Sequence, residues 1–261
     1  NNKIVVPGVV EIHTHIDCIL HGMRTVDDWI YASLGAAYGG TTTVVDFPMQ
    51  GKGQTLIGTI EEFKERAQDK SIVDFSFIPI ISDYSEKTYD EIPKLIESGI
   101  SSVKLFMYYG WQVSDYNLAR LIDTMGSNGG ICHIHCENAG TIDYMSDKAI
   151  KMGKTGVKWH APNRPVSTEV DATQRVLHIA GEFNAPVVIV HMSAGPAVIA
   201  LAEARAKGVP AYGETMPHFL CLDESLYDQP GNEAMKVVIT PPLRSKDHQD
   251  ILWAGLRSGA L

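Results

Sequence analysis

The chain predicts an α/β fold built as a TIM-type (β/α)8 barrel, and three observations lead there. Apolar, strand-like runs alternate strictly with amphipathic, helix-like stretches along the sequence. That alternation calls for a parallel sheet with right-handed crossovers. Histidines stand at the ends of runs that are not neighbours: His13 and His15, then His133 and His135, then His191. An open doubly wound sheet concentrates its site at one switch point, whereas a barrel gathers residues from many strand ends at one face.

The elements follow in order. Strand-like runs fall near 8–13, 43–47, 74–81, 102–107, 130–135, 186–191 and 209–214. Each is a short apolar stretch suited to a buried parallel strand. Helical periodicity marks 26–38, 57–69, 88–98, 115–126, 139–152, 168–183 and 194–207 between them. A last helix is predicted over 246–257, after an irregular stretch holding Pro217, Pro230, Pro241 and Pro242. No repeat, low-complexity tract or linker interrupts the series, so one domain is expected over 1–261. An eight-stranded barrel needs one more strand after Ser258-Gly259-Ala260-Leu261. Without it two edges stay open. The count therefore predicts that the native chain continues past Leu261, and the first residue, Asn1 rather than Met, suggests truncation there too.

Composition narrows the function. At 261 residues and 44% hydrophobic content the chain can bury one large core. A net charge of -9 argues against nucleic acid or an anionic membrane as partner. No run of about 18 apolar residues and no secretory pattern is present. Cys18, Cys132, Cys136 and Cys221 show no CxxC or framework spacing. They read as reduced thiols of a cytoplasmic protein.

The histidines carry the chemistry. Side chains alternate along a strand, so His13 and His15 project the same way. A lone histidine is more often a satisfied core residue than a ligand. A His-X-His pair with two further strand-end sites instead points to a first-row divalent metal such as zinc. His133 and His135 share a face, and parity alone leaves both open as ligands. His21, His178, His218 and His248 fall on loops or helix faces and gain no support.

Several motifs in a fixed order resemble one family. Pro7-Gly8-Val9-Val10-Glu11-Ile12-His13-Thr14-His15-Ile16-Asp17 is similar to the first strand of the amidohydrolase superfamily, and Gly39-Gly40-Thr41-Thr42-Thr43-Val44-Val45-Asp46-Phe47 to its second unit. Ser102-Val103-Lys104-Leu105-Phe106-Met107-Tyr108-Tyr109 narrows the resemblance to the dihydropyrimidinase and hydantoinase branch. His135-Cys136-Glu137-Asn138, Val190-His191-Met192-Ser193, Tyr212-Gly213-Glu214-Thr215 and Pro241-Pro242-Leu243-Arg244 continue it in sequence. The likeness covers nearly the whole chain.

The resemblance implies two divalent metal ions, usually zinc. His13 and His15 would hold the more buried ion, His135 and His191 the more exposed one, and Lys104 would bridge them as a carboxylated lysine. A free ammonium between two dications would be repelled, whereas its carbamate is an anionic oxygen ligand. Lys104 also lies in a mostly apolar strand, where an unpaired lysine is costly to bury; alone it reads equally well as a strand-end lysine snorkelling to solvent. His133 then becomes a second-layer or core residue, and His160 is read as structural. Tyr109 would hydrogen-bond the substrate carbonyl and its developing oxyanion, although Phe106, Tyr108 and Trp111 beside it offer a packing role instead. Thr240 falls where the family contacts substrate through backbone groups. Asn138 and Asp46 are read as structural.

By this likeness the expected reaction is hydrolysis of a cyclic amide or imide C–N bond in a dihydropyrimidine or hydantoin ring, by attack of a metal-bridging hydroxide. Allantoinase- or dihydroorotase-like chemistry is the nearest alternative. A non-catalytic scaffold of the collapsin response mediator type is the alternative from another class, and the presence of every metal-site residue up to His191 argues against it. Two departures stand out. Gly110 follows Tyr109 where the family carries a basic residue. The family's metal-binding, proton-shuttling aspartate belongs to an eighth strand, and a flanking β-sandwich domain is also expected beyond this chain, so the fragment alone is expected to be inactive. The family forms dimers or tetramers, so a homo-oligomer is expected.

Overall fold

The computed structural model describes residues 3–20 and 22–261, and His21 lies outside the described residues. The chain divides into two compact units, Asn1–Lys104 and Leu105–Leu261.

In the first unit, strand β1 (Val9–Thr14) leads to a small antiparallel pair, β2 (Ile19–Leu20) and β3 (Met23–Arg24), then to helix α1 (Trp29–Tyr38). Strand β4 (Thr41–Asp46), helix α2 (Leu56–Ala67), strand β5 (Asp74–Phe77) and helix α3 (Glu86–Glu97) follow. Strands β1, β4 and β5 form a parallel sheet in that order. Asp28 caps α1 by accepting the N–H groups of Ile30 and Tyr31, and Thr55 caps α2 through Gly58. Glu91 of α3 accepts the Leu56 and Ile57 N–H groups, placing a carboxylate at the positive end of α2.

The strand expected over 74–81 stops at Phe77. Pro79 has no N–H to give to a ladder, so pairing beyond it survives as single bridges. Ile80 N–H reaches the Pro48 carbonyl at 2.8 Å, and the Pro79 carbonyl accepts Lys104 N–H at 2.9 Å. These bonds place Lys104 in the core of this unit, with Trp29, Phe47, Ile80 and Ile81 also fully buried.

In the second unit, strand β6 (Ser102–Phe106), whose last two residues open that unit, is followed by α4 (Asp115–Ser127), β7 (Ile131–His135), α5 (Ala139–Lys151) and α6 (Val166–Phe183). Then come β8 (Val187–Ile189), α7 (Gly195–Ala206), β9 (Ala211–Gly213), α8 (Pro217–Cys221) and α9 (Lys246–Ser258). The sheet order is β6-β7-β8-β9, with β7, β8 and β9 paired in parallel. Every strand and helix expected from the sequence contains an observed element of the same type. The β2–β3 hairpin was not foreseen, since two residues per strand leave no period to read. Its turn includes Gly22 at φ 76°. The stretch expected to be irregular before α9 instead holds α8, which starts on Pro217, and 3-10 turns at Glu224–Asp228 and Ala234–Val237.

Helix α4 packs closely where it approaches the chain entering β8. A methyl group added at Gly126 would lie 2.5 Å from the Ala185 Cβ and 3.1 Å from its Cα, and neither atom can swing aside. We expect Gly126→Ala to destabilise the protein by about 1–3 kcal/mol through overpacking. Against the roughly 1 kcal/mol helix-propensity gain of replacing glycine, the net loss is up to about 2 kcal/mol, with the unyielding Ala185 backbone contact favouring the upper end. Urea denaturation with an unchanged or higher midpoint would contradict this account of the packing.

Candidate metal centre

The first unit gathers three of the expected ligands around one aromatic ring. His13 lies in β1 and His15 one residue past its end, with ring centroids 5.7 Å apart. Phe47, just after β4, packs 4.7 Å from the His13 ring and 5.4 Å from the His15 ring. The Lys104 Nζ lies 4.9 Å from the centre of the same ring, and the lysine is 0% exposed. The expected same-side projection of His13 and His15 therefore holds, although the β1–β4 register shifts between Glu11 and Thr14. Asp46 is the anchor here. Its Oδ1 accepts the Thr14 hydroxyl at 3.0 Å and the Ile16 N–H at 2.7 Å, pinning the chain on both sides of His15. Burial pushes the Asp46 carboxyl up to about 7 against the opposing effect of these bonds.

The second unit brings together the other two expected ligands and both expected substrate contacts. His135 ends β7 and His191 follows β8; both are buried, their ring centroids 4.5 Å apart at 76°. The Tyr109 ring lies 5.5 Å from that of His135 and stacks on Trp111. Tyr109 shares a side-chain hydrogen bond with Thr240, and burial pushes its phenol up to about 12, so it stays a proton donor at neutral pH. Tyr109 (φ 79°) and His191 (φ 40°) have left-handed backbones, an uncommon and strained state for residues with a Cβ.

A buried ionic chain surrounds this pair. Glu137 Oε2 lies 2.7 Å from His135 Nε2 and accepts Arg164 NH1 at 2.9 Å. Arg244 donates to the Arg164 carbonyl, to Ser193 Oγ at 3.2 Å and to Glu169 Oε2 at 3.3 Å. Glu169 also accepts the N–H groups of Ser193 and Ala194 and the Ser193 hydroxyl. Burial alone would raise the Glu137 carboxyl, but His135 and Arg164 more than offset it and hold it below the usual carboxylate value. In the sequence Glu137, Ser193 and Arg244 stand only as members of motifs, and nothing singles out Arg164 or Glu169. The available signal was parity, because a carboxylate two residues after a strand-end histidine leaves on the same side.

The remaining histidines act locally. His160 bonds the Ile239 carbonyl at 2.7 Å, beside Thr240, and burial lowers its basicity. His248 Nδ1 accepts the Gly195 N–H at the start of α7. His133 is buried within β7. Asn138 caps α5 through the Thr141 N–H. A cavity of about 640 Å³, bordered by Lys158, Asp223, Tyr227 and Lys246, contains none of the candidate residues. A cavity of about 410 Å³ borders His15, Glu11, Thr14 and Asp27.

Among the described residues no group of three or more His, Cys, Asp and Glu could hold a metal ion by itself. The donors come as imidazole pairs, and neutral imidazole suits zinc. Two nitrogens leave coordination positions to fill, and beside His13 and His15 an oxygen donor on Lys104 would supply one. The donor set fits a metal on that condition.

No protein-family model matches the chain. The D-hydantoinase of Geobacillus stearothermophilus is 39% identical over 260 residues, which cover 98% of this chain and 55% of that protein. A D-hydantoinase crystal structure matches 98% of this chain and 56% of its own, with a TM-score of 0.95 at 38% identity. The dihydropyrimidinase of Brevibacillus agri matches the same shares at 36% identity and a TM-score of 0.95. The dihydroorotase of Campylobacter jejuni, at 13% identity and a TM-score of 0.63, shares the fold alone, covering 97% of this chain and 65% of that one. The chain thus spans little more than half the length of the hydantoinases it matches. Its fold class is that of these TIM-type α/β barrels, and it belongs to the amidohydrolase superfamily, whose hydantoinases are metal-dependent. Within the superfamily it stands on the hydantoinase and dihydropyrimidinase branch.

Asp46 provides a test of the anchoring. Its folded-state value of about 7 lies above the ordinary 3.8. Between those values the folded protein holds a proton that the unfolded chain has lost, so stability falls as pH rises through that window. Asp46→Asn keeps an Oδ1 acceptor and cannot ionise. In metal-free unfolding, the variant should gain on the wild type from about pH 4 to about pH 7 and then level off. A difference that stays flat over that range would show that Asp46 is not held protonated.

Proposed function

We propose that this chain belongs to a metal-dependent hydrolase that opens a cyclic amide or imide at a C–N bond, with a dihydropyrimidine or hydantoin ring as substrate. The observation that carries the reading is Lys104, fully buried against the Phe47 ring that also touches His13 and His15. An ammonium buried there is costly. Carboxylation would turn the same side chain into an oxygen ligand. In this reading His13 and His15 serve one ion, His135 and His191 a second, and the carboxylated Lys104 both. Bound there, two divalent ions, zinc by the choice of imidazole donors, would supply an activated water and polarise the scissile carbonyl.

The other residues then have defined tasks. Tyr109 keeps its proton at neutral pH and donates to the carbonyl oxygen as charge develops there. Thr240 orients that phenol through their hydrogen bond and offers the substrate backbone contacts. His160 braces the segment through the Ile239 carbonyl. The dihydroorotase likeness is one of fold alone, so it gives no ground for preferring that ring. The four free cysteines support a cytoplasmic setting. The proposed partner is a small cyclic ureide or amide, and the proposed assembly is a homo-oligomer.

Metal content tests the core of the proposal. The purified parent enzyme should carry two equivalents of zinc, and Lys104→Ala in it should lose metal and activity together. An alanine variant with two metals and wild-type turnover on hydantoin and dihydrouracil would sink the bridging role. No metal in the wild type would favour the scaffold reading instead.

Tyr109→Phe should behave differently. Turnover should fall about 10²–10³-fold with metal content unchanged, because only a donor to the oxyanion is removed. A loss of metal in this variant would mean that Tyr109 supports the site structurally.

A further inference from the structure

One contact of His135 has no part in the reading above. Its Nε2 lies 2.7 Å from Glu137 Oε2, with the histidine 1% and the glutamate 0% exposed. Arg164 NH1 approaches the same oxygen at 2.9 Å. The arginine is itself fixed: its guanidinium lies 4.3 Å from the centre of the Tyr108 ring, and its carbonyl accepts Arg244 NH1. The carboxylate therefore cannot turn away from the imidazole without breaking a buried ion pair.

The chemistry of the pair fixes where the proton lies. An ionised carboxylate only accepts hydrogen bonds, so the shared hydrogen belongs to Nε2. A neutral imidazole carries one N–H, and the other nitrogen keeps its lone pair. With Nε2 protonated, Nδ1 is the nitrogen able to bind a cation. The negative charge on the far side of the ring also raises the basicity of Nδ1, as carboxylate partners do for metal-binding histidines. His191 is held by a different device, its backbone N–H bonding Glu214 Oε1 at 3.2 Å.

We propose that Glu137, anchored by Arg164, is the positioning residue for His135, holding it as the Nε2–H tautomer and reserving Nδ1 for the metal. This rests on the reading of His135 as a ligand, and it adds a residue and a nitrogen that the reading does not specify. Glu137 touches neither metal nor substrate, and its effect runs through the ring it orients.

Two measurements on the protein test it. The first uses wild-type, metal-free protein labelled with 15N-histidine, with His135 assigned by the signal lost in His135→Gln. Long-range 1H–15N correlations should show the proton on Nε2, and a proton on Nδ1 would overturn the proposal. The second compares zinc affinity of the wild type and Glu137→Gln by chelator competition, with metal-free thermal melting as the control for folding. The variant should bind one of its two zinc equivalents about 10–100-fold more weakly, with the other equivalent unaffected. Zinc held equally by a folded variant and the wild type would overturn this inference alone. No zinc in the wild type would overturn the proposed function and this inference with it. If Glu137→Gln does not fold, the wild-type tautomer decides.

Discussion

The loops after β7 and β8 depend on one buried chain of charge, in which Glu137 binds Arg164, Arg164 takes a bond from Arg244, and Arg244 reaches Ser193 and Glu169. Two carboxylates and two guanidinium groups taken from water would be expensive singly. Removing one partner of such a pair typically costs about 3–5 kcal/mol, because the other is left uncompensated. The cost of breaking the chain is what makes it rigid. It clips the residues just after His135 to the residues just after His191, and both imidazoles inherit that fixity. The left-handed backbones of His191 and Tyr109 persist in this setting because the surroundings over-determine them.

The first unit reaches the same end by another route. Asp46 is buried without an arginine, so it keeps its place as an acceptor of the Thr14 hydroxyl and the Ile16 N–H. Phe47, the next residue, gives the rings of His13 and His15 and the Nζ end of Lys104 a common aromatic wall. Consecutive residues leave a strand on opposite sides. One β4 terminus thus serves as polar clamp and as hydrophobic floor at once.

The periodic part of this architecture was legible in the sequence. Buried parallel strands such as Ile131–His135 and long amphipathic helices such as Val166–Phe183 each bring enough residues for a period to show. Strand parity correctly grouped His13 with His15. Elements without room for a period escaped notice, among them the Ile19–Arg24 hairpin and the turns before α9. Pro79 shortened β5 because a missing N–H matters to a ladder and hardly to a hydrophobicity profile. The ionic chain was hidden for another reason. Arg164 and Arg244 lie 80 positions apart, and Ser193 and Arg244 lie 51 apart, so no local pattern can announce their meeting. In sequence, Glu137 and Glu169 are ordinary acidic residues; only three dimensions show them stripped of water.

The left-handed backbones at Tyr109 and His191 have a consequence for how this protein can change over generations. At both positions the main chain would be more at ease with glycine, which carries no Cβ to clash. The phenol and the imidazole are thus kept against a standing local preference. Glycine there would relieve that strain but strip out a packed ring, so the two effects oppose each other at each position. Positions 109 and 191 therefore have few comfortable replacements: a residue with a Cβ keeps the strain, and one without it leaves a void.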